Sequence, residues 1–182
     1  KVIRDSRRKE EGYTVAISVG STKFQLGVAG PGCKIATMEK FNWRERLIER
    51  LGGEMNKETM TVDAVAGFLR DEILAVLDWA ELEKKDIADV AMAWPGAPDY
   101  KKGTLTATHF FWGKDNSQPL AGTLEGLLRA DGFFAADGLG ARGTVYILGD
   151  VVAGAIGECV SPAGQLQGKL NGLVCNFATG DA

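Results

Sequence analysis

Four consecutive residues, Gly20-Ser21-Thr22-Lys23, put a glycine, two small hydroxyls and a cation within the span of one tight turn. Such a turn can aim several backbone N–H groups at one anion, because glycine lets the main chain approach closely. A phosphate is the ligand that suits this chemistry; an ordinary hairpin turn is the alternative. The second candidate is Asp150, which follows the apolar run TVYILG and precedes a stretch rich in Gly and Ala. A carboxylate at a strand-to-helix junction lies at the mouth of a cleft, with its charge favoured by the helix N-terminus, or serves simply as an N-cap. His109 is the only histidine, so His-clustered metal sites are excluded and any Ser-His-Asp scheme would have to use that residue. The run Gly138-Leu139-Gly140-Ala141-Arg142-Gly143 spells G-x-G-x-x-G, but a β-type run follows it where a dinucleotide site needs a helix. It reads as a flexible connection, a candidate hinge. No G-x-x-x-x-G-K-[ST] loop is present.

These residues need elements to hold them. Tyr13 to Val19 alternates with β-branched residues, and Lys23 to Ala29 reads as the returning strand of a hairpin across Gly20-Ser21. Gly30-Pro31-Gly32 is a second turn, after which Cys33 to Phe41 can add a third strand. Thr61 is a plausible N-cap for a helix reaching about Ala80, with Val62, Val65, Phe68, Leu69, Ile73, Val76 and Leu77 at helical spacing. Asp89 to Trp94 predicts a buried strand stopped by Pro95-Gly96. Leu120 to Leu128 predicts a helix, Thr144 to Leu148 a strand, Asp150 to Glu158 a small-residue helix and Leu173 to Phe177 one more strand. Lys1 to Gly12 is polar and mixed in charge, as in a solvated tail.

The 182 residues suffice for one domain, or one domain with part of a second, and 45% hydrophobic with 25% charged residues is a globular balance. A net charge of -3 lacks the cationic surplus that nucleic acid or anionic lipid demands, so neither is an expected partner. Cys33, Cys159 and Cys175 form no CxxC pair and read as buried reduced thiols. Apolar runs fall short of a membrane helix and the amino terminus is too charged for a secretory signal, which predicts a cytoplasmic protein.

Four segments, taken in order, resemble the motifs of hexokinase- and glucokinase-type sugar kinases, in particular the repressor, open reading frame and kinase family of the actin-like ATPase superfamily. VGSTKFQLGVAG, Val19 to Gly30, is similar to the first phosphate motif. VAMAWPGAPDYKKGTL, Val90 to Leu105, resembles the strand and Pro-Gly loop, with THFFWG, Thr108 to Gly113, as the sugar-contacting segment. LGDVVAGAIGE, Leu148 to Glu158, resembles the motif carrying the catalytic base, and NFATGDA, Asn176 to Ala182, the second phosphate loop.

The resemblance implies an α/β, ribonuclease-H-like actin/hexokinase ATPase fold. Residues 1–12 would be a tail, 13–141 the first lobe with the sugar-binding loops, and 142–182 the start of a second lobe that ends early. It implies ATP-dependent phosphorylation of a glucose-like hexose with Mg2+ as the companion ion and Asp150 as general base. Gly20, Ser21, Thr22, Lys23, Thr179 and Gly180 would face phosphates; Pro95, Gly96, His109, Gly149 and Glu158 would face sugar; no residue is assigned to a metal, and a homodimer is left open. Trp94 and Trp112 flank the expected sugar pocket, where they would stack or fill core. The chain departs from the pattern at Ser18, where the family has a cation-organising Asp, at Gly149 in place of Asn, and at Ala178 and Asp181 in the second loop. Those departures motivate a different reading, a catalytically impaired sugar-binding sensor or regulatory protein on the same fold. An actin-like assembly protein is a third.

Overall fold

Between β1 and β2 the chain reverses direction, and the pairing that follows organises everything else. The computed structural model describes residues 12–20, 24–30, 34–54, 59–95, 97–99, 101–102, 104–106, 119–134, 143–150, 152–154 and 156. β1 (Tyr13–Val19) pairs antiparallel with β2 (Phe24–Gly30), which pairs antiparallel with β3 (Lys34–Phe41). β4 (Ile87–Trp94) returns parallel to β1, and β7 (Val145–Gly149) parallel to β4. The sheet order is β3-β2-β1-β4-β7, and β5 (Ala97–Asp99) with β6 (Thr104–Thr106) makes a separate small hairpin.

Alternation assigns each strand two faces. Val15, Ile17 and Val19 of β1, Phe24, Leu26 and Val28 of β2, and Val90, Met92 and Trp94 of β4 are all buried. They meet α2 (Val62–Trp79), whose Val65, Phe68, Leu69, Ile73, Val76 and Leu77 form its buried stripe. Phe24 meets Phe68 edge-on, with ring centroids 6.0 Å apart at 75°. α3 (Leu120–Ala130) lies beside α2 and reaches β7. The expected N-cap is present: the Thr61 hydroxyl accepts from the Ala64 N–H at 3.1 Å.

The structure adds elements that the apolar pattern did not disclose. α1 (Trp43–Leu51) reads WRERLIERL, and its charge hides its helical period. Leu47 is its buried anchor, while Arg46 pairs with Glu72 at 2.8 Å and Arg50 with Asp71, both across to α2. The expected strand over Leu173 to Phe177 lies outside the described residues.

Val145 to Gly149 pair with Val90 to Trp94, so β7 is an edge strand of the five-stranded sheet. The glycine-rich connection is anchored where its far end is described. Arg129 donates to the Gly143 carbonyl at 2.7 Å, Thr144 N–H to Asp89 at 3.2 Å and Val145 N–H to Glu125 at 3.2 Å. Gly143 is required there, because a Cβ would run into the Phe134 ring and the Ala88 carbonyl.

Candidate functional site

Three parallel strands end side by side. The register Ser18↔Ala93 and Ala93↔Leu148, with Trp94↔Gly149, brings Gly20, Pro95 and Asp150 to the same edge of the sheet. Carboxyl ends of parallel strands are where α/β folds place ligands, since loops there diverge and helix N-termini converge. Asp150 opens a helical turn that includes residues 152–154 and 156, placing its carboxylate at that helix's positive end.

The sheet face opposite α2 is lined by small side chains: Ala16 on β1, Gly27 and Ala29 on β2, Ala91 and Ala93 on β4. With Ala153 and Gly154 above them, they enclose a cavity of about 400 Å³. Its polar side chains are Ser18, Gln25 and Asp150. Ser18 is exposed, Asp150 half-buried, and Gln25 is the cross-strand partner of Ser18. The structure thus brings Asp150 and Ser18 to one cavity, with Gly20, Pro95 and Gly149 at the ends of the strands that frame it. Ser21, Thr22, Lys23, Gly96, His109, Glu158, Thr179 and Gly180 lie outside the described residues, as does Trp112. Trp94 is 1% exposed and belongs to the helix-side core, so it stacks on no ligand in this cavity.

Gln25 was missed by motif reading, although its signal was present. Counting outward from the turn pairs Val19 with Phe24 and Ser18 with Gln25, which puts the amide on the same face as the hydroxyl.

The donor set tests the fit of Mg2+. This hard cation takes oxygen ligands and is commonly held through one or two carboxylates together with substrate phosphates. Among the described residues the cavity offers one carboxylate, Asp150, and two neutral oxygens, those of Ser18 and Gln25. If Asp150 is committed to a reacting hydroxyl, no carboxylate in this set is left for the ion, so the set does not fit a protein-held Mg2+. No group of three or more His, Cys, Asp or Glu suited to a metal occurs among the described residues either.

The Arg70 guanidinium donates two hydrogen bonds to Asp131, at 2.6 and 3.1 Å, and holds that carboxyl below the ordinary Asp value. This pair ties α2 to the end of α3, away from the cavity.

No protein-family model matches the sequence, and neither does any curated protein. Solved structures do. The fold is similar to a glucokinase from Parabacteroides distasonis (TM-score 0.55, 19% identity, covering 85% of this chain and 35% of that one). It is similar to a ROK family transcriptional regulator, a homologue of the E. coli MLC protein (0.55, 14%, 84% and 31%). It is also similar to a ROK family glucokinase from Streptomyces griseus in complex with glucose and AMPPNP (0.50, 22%, 85% and 38%). The chain spans less than half the length of each. At these identities the likeness is one of fold: the protein has the actin-like ATPase fold of the ROK sugar kinases, as the four ordered motifs implied. No helix among the described residues is long and apolar enough to cross a membrane.

Proposed function

We propose that this chain carries the sugar-facing lobe of an ATP-dependent hexose kinase in which Asp150 is the general base. The observation that supports the reading is the placement of Asp150, which opens a helix at the end of β7 and lines a cavity shared with the end of β1. A sugar hydroxyl held against Asp150 would lose its proton to the carboxylate as its oxygen bonds to the γ-phosphorus. The bond from phosphorus to the bridging oxygen breaks, and ADP leaves with that electron pair.

Gly20 to Lys23 and Thr179-Gly180 are assigned to the phosphates. Pro95-Gly96, His109, Gly149 and Glu158 are assigned to the sugar, with a glucose-like hexose as substrate. Mg2+, when it accompanies ATP, supplies charge neutralisation on the phosphates. The test is an assay of the intact protein with ATP, Mg2+ and a panel of hexoses. Formation of a sugar phosphate with at least one hexose is expected; absence of product with every hexose overturns the reading. Glucose binding without product would move the protein to the sugar-sensing class.

A further inference from the structure

We infer that Glu125 on α3 is a positioning residue for the proposed base: with Arg129, Asp89 and Gly143 it locks the register of β7, and so the place of Asp150 at the sheet edge. The inference rests on the proposed function for the role of Asp150 and adds the residues that hold it there. β7 needs such a lock. It is an edge strand paired with β4, and Val145, Tyr146, Ile147 and Leu148 put large apolar side chains on both of its faces. Hydrophobic patterning specifies register where one face is apolar and the other polar; here a one-residue slip would only exchange Val145 and Ile147 for Tyr146 and Leu148 in the core. The strand rises about 3.3 Å per residue, so that slip would carry Asp150 an equal distance along the edge. A general base acts within about 2.6–3.2 Å of the hydroxyl oxygen, and one residue of slip takes it out of reach.

The start of the strand supplies the specification that its pattern lacks. The Asp89 carboxylate accepts from the Thr144 N–H at 3.2 Å. The Glu125 carboxylate accepts from the Val145 N–H through one oxygen, at 3.2 Å, and from Arg129 through the other, at 3.0 Å. Arg129 also donates to the Gly143 carbonyl at 2.7 Å and lies over the Phe134 ring, 5.3 Å from its centroid. Three successive residues are thus gripped from α3 and β4. Gly143 bars the alternatives: its place admits no Cβ, and slips of one or two residues would bring Ala141, Arg142, Thr144 or Val145 there. Val145 is five residues from Asp150, roughly 16 Å along the chain, so Glu125 acts through β7 and not on the substrate.

The experiment is steady-state glucose phosphorylation by the intact protein, with amide hydrogen exchange recorded on the same preparations, for Glu125→Ala, Glu125→Gln and Val76→Ala. Val76→Ala truncates the buried stripe of α2 and controls for lost stability without a lost β7 contact. Glu125→Ala should lower kcat by about 10-fold to 10²-fold while glucose KM stays within about threefold. Exchange of the β7 amides should quicken at least about tenfold relative to those of β1. Glu125→Gln, whose amide oxygen still accepts from Val145, should recover kcat to within about threefold of wild type, and Val76→Ala should stay within the same range. Unchanged kcat in Glu125→Ala, no recovery in Glu125→Gln, or an equal loss in Val76→Ala overturns the inference and leaves the proposed function standing. If the wild type turns over no hexose, the proposed function falls and exchange alone decides the lock, which β7 protection unchanged by Glu125→Ala overturns.

Discussion

One side of the five-stranded sheet is built from large apolar side chains and the other from small ones, and the same strands supply both. On β1, Val15, Ile17 and Val19 are buried against the helices, while the intervening Ala16 and Ser18 line the cavity. On β4, Val90, Met92 and Trp94 are buried, and Ala91 and Ala93 take the opposite side. The helix side therefore carries the stability of the lobe, because buried area there is large and closely packed. The cavity side contributes little area and keeps Asp150 accessible. A residue's parity along a strand thus separates a place in the packed core from a place in the cavity wall one position away.

Substitutions on the two sides should separate these roles. The largest effect on folding is expected from Phe24→Ala, which removes a ring buried against Phe68 and should cost about 3–5 kcal/mol in urea denaturation. Ala93→Leu, on the cavity side of β4, has room to be accommodated and should change stability by no more than about 1 kcal/mol. It should weaken glucose binding about tenfold by filling the space between Ser18 and Leu148. Equal losses of stability from the two variants would erase the distinction between the faces.

A smaller effect concerns the helix ends. α2 ends with Glu81 at φ 54 and a Leu82 N–H to Leu77 carbonyl bond of 3.0 Å; α3 ends with Gly132 at φ 87 and the corresponding Phe133 to Leu128 bond of 2.9 Å. Both are left-handed caps, but only α3 has the glycine that tolerates one without strain. Glu81→Gly should raise stability by about 0.5–1 kcal/mol, read as a higher urea midpoint with an unchanged slope.

The smallest effect follows from Asp131. Its carboxyl is held down chiefly by the hydrogen bond from Arg70, so its folded pKa lies below its unfolded one. The resulting stabilisation is present above the unfolded pKa and is lost as pH falls through the folded value. Asp131→Asn should therefore be slightly less stable than wild type at neutral pH, and the difference should close in acid below the ordinary Asp range. A gap independent of pH would remove the ion pair as its cause.

Much of this was legible in the sequence where hydrophobic period and turn chemistry agreed. Tyr13 to Val19, the return after Gly20-Ser21, and the helix behind Thr61 all have strong local signals, and the structure has them within a residue or two. α1 was hidden because WRERLIERL buries Leu47 while displaying charge on most other positions. The glycine-rich stretch reads as a loose linker, whereas Arg129, Glu125 and Asp89 fasten its far end through hydrogen bonds between their side chains and its backbone that no local pattern encodes. Asp150, singled out by its strand-to-helix position, and Ser18, noted as a departure from a motif, both line the cavity. Gln25 depended on pairing across the hairpin.

The central claim is that Asp150 acts on the substrate hydroxyl. The most direct measurement is kcat for glucose phosphorylation by Asp150→Asn, with glucose affinity and Tm recorded on the same preparation. The account predicts a fall of about 10²–10⁴-fold in kcat, with affinity and Tm close to wild type. Turnover retained within a few-fold of wild type, on a protein that still binds glucose, would contradict it.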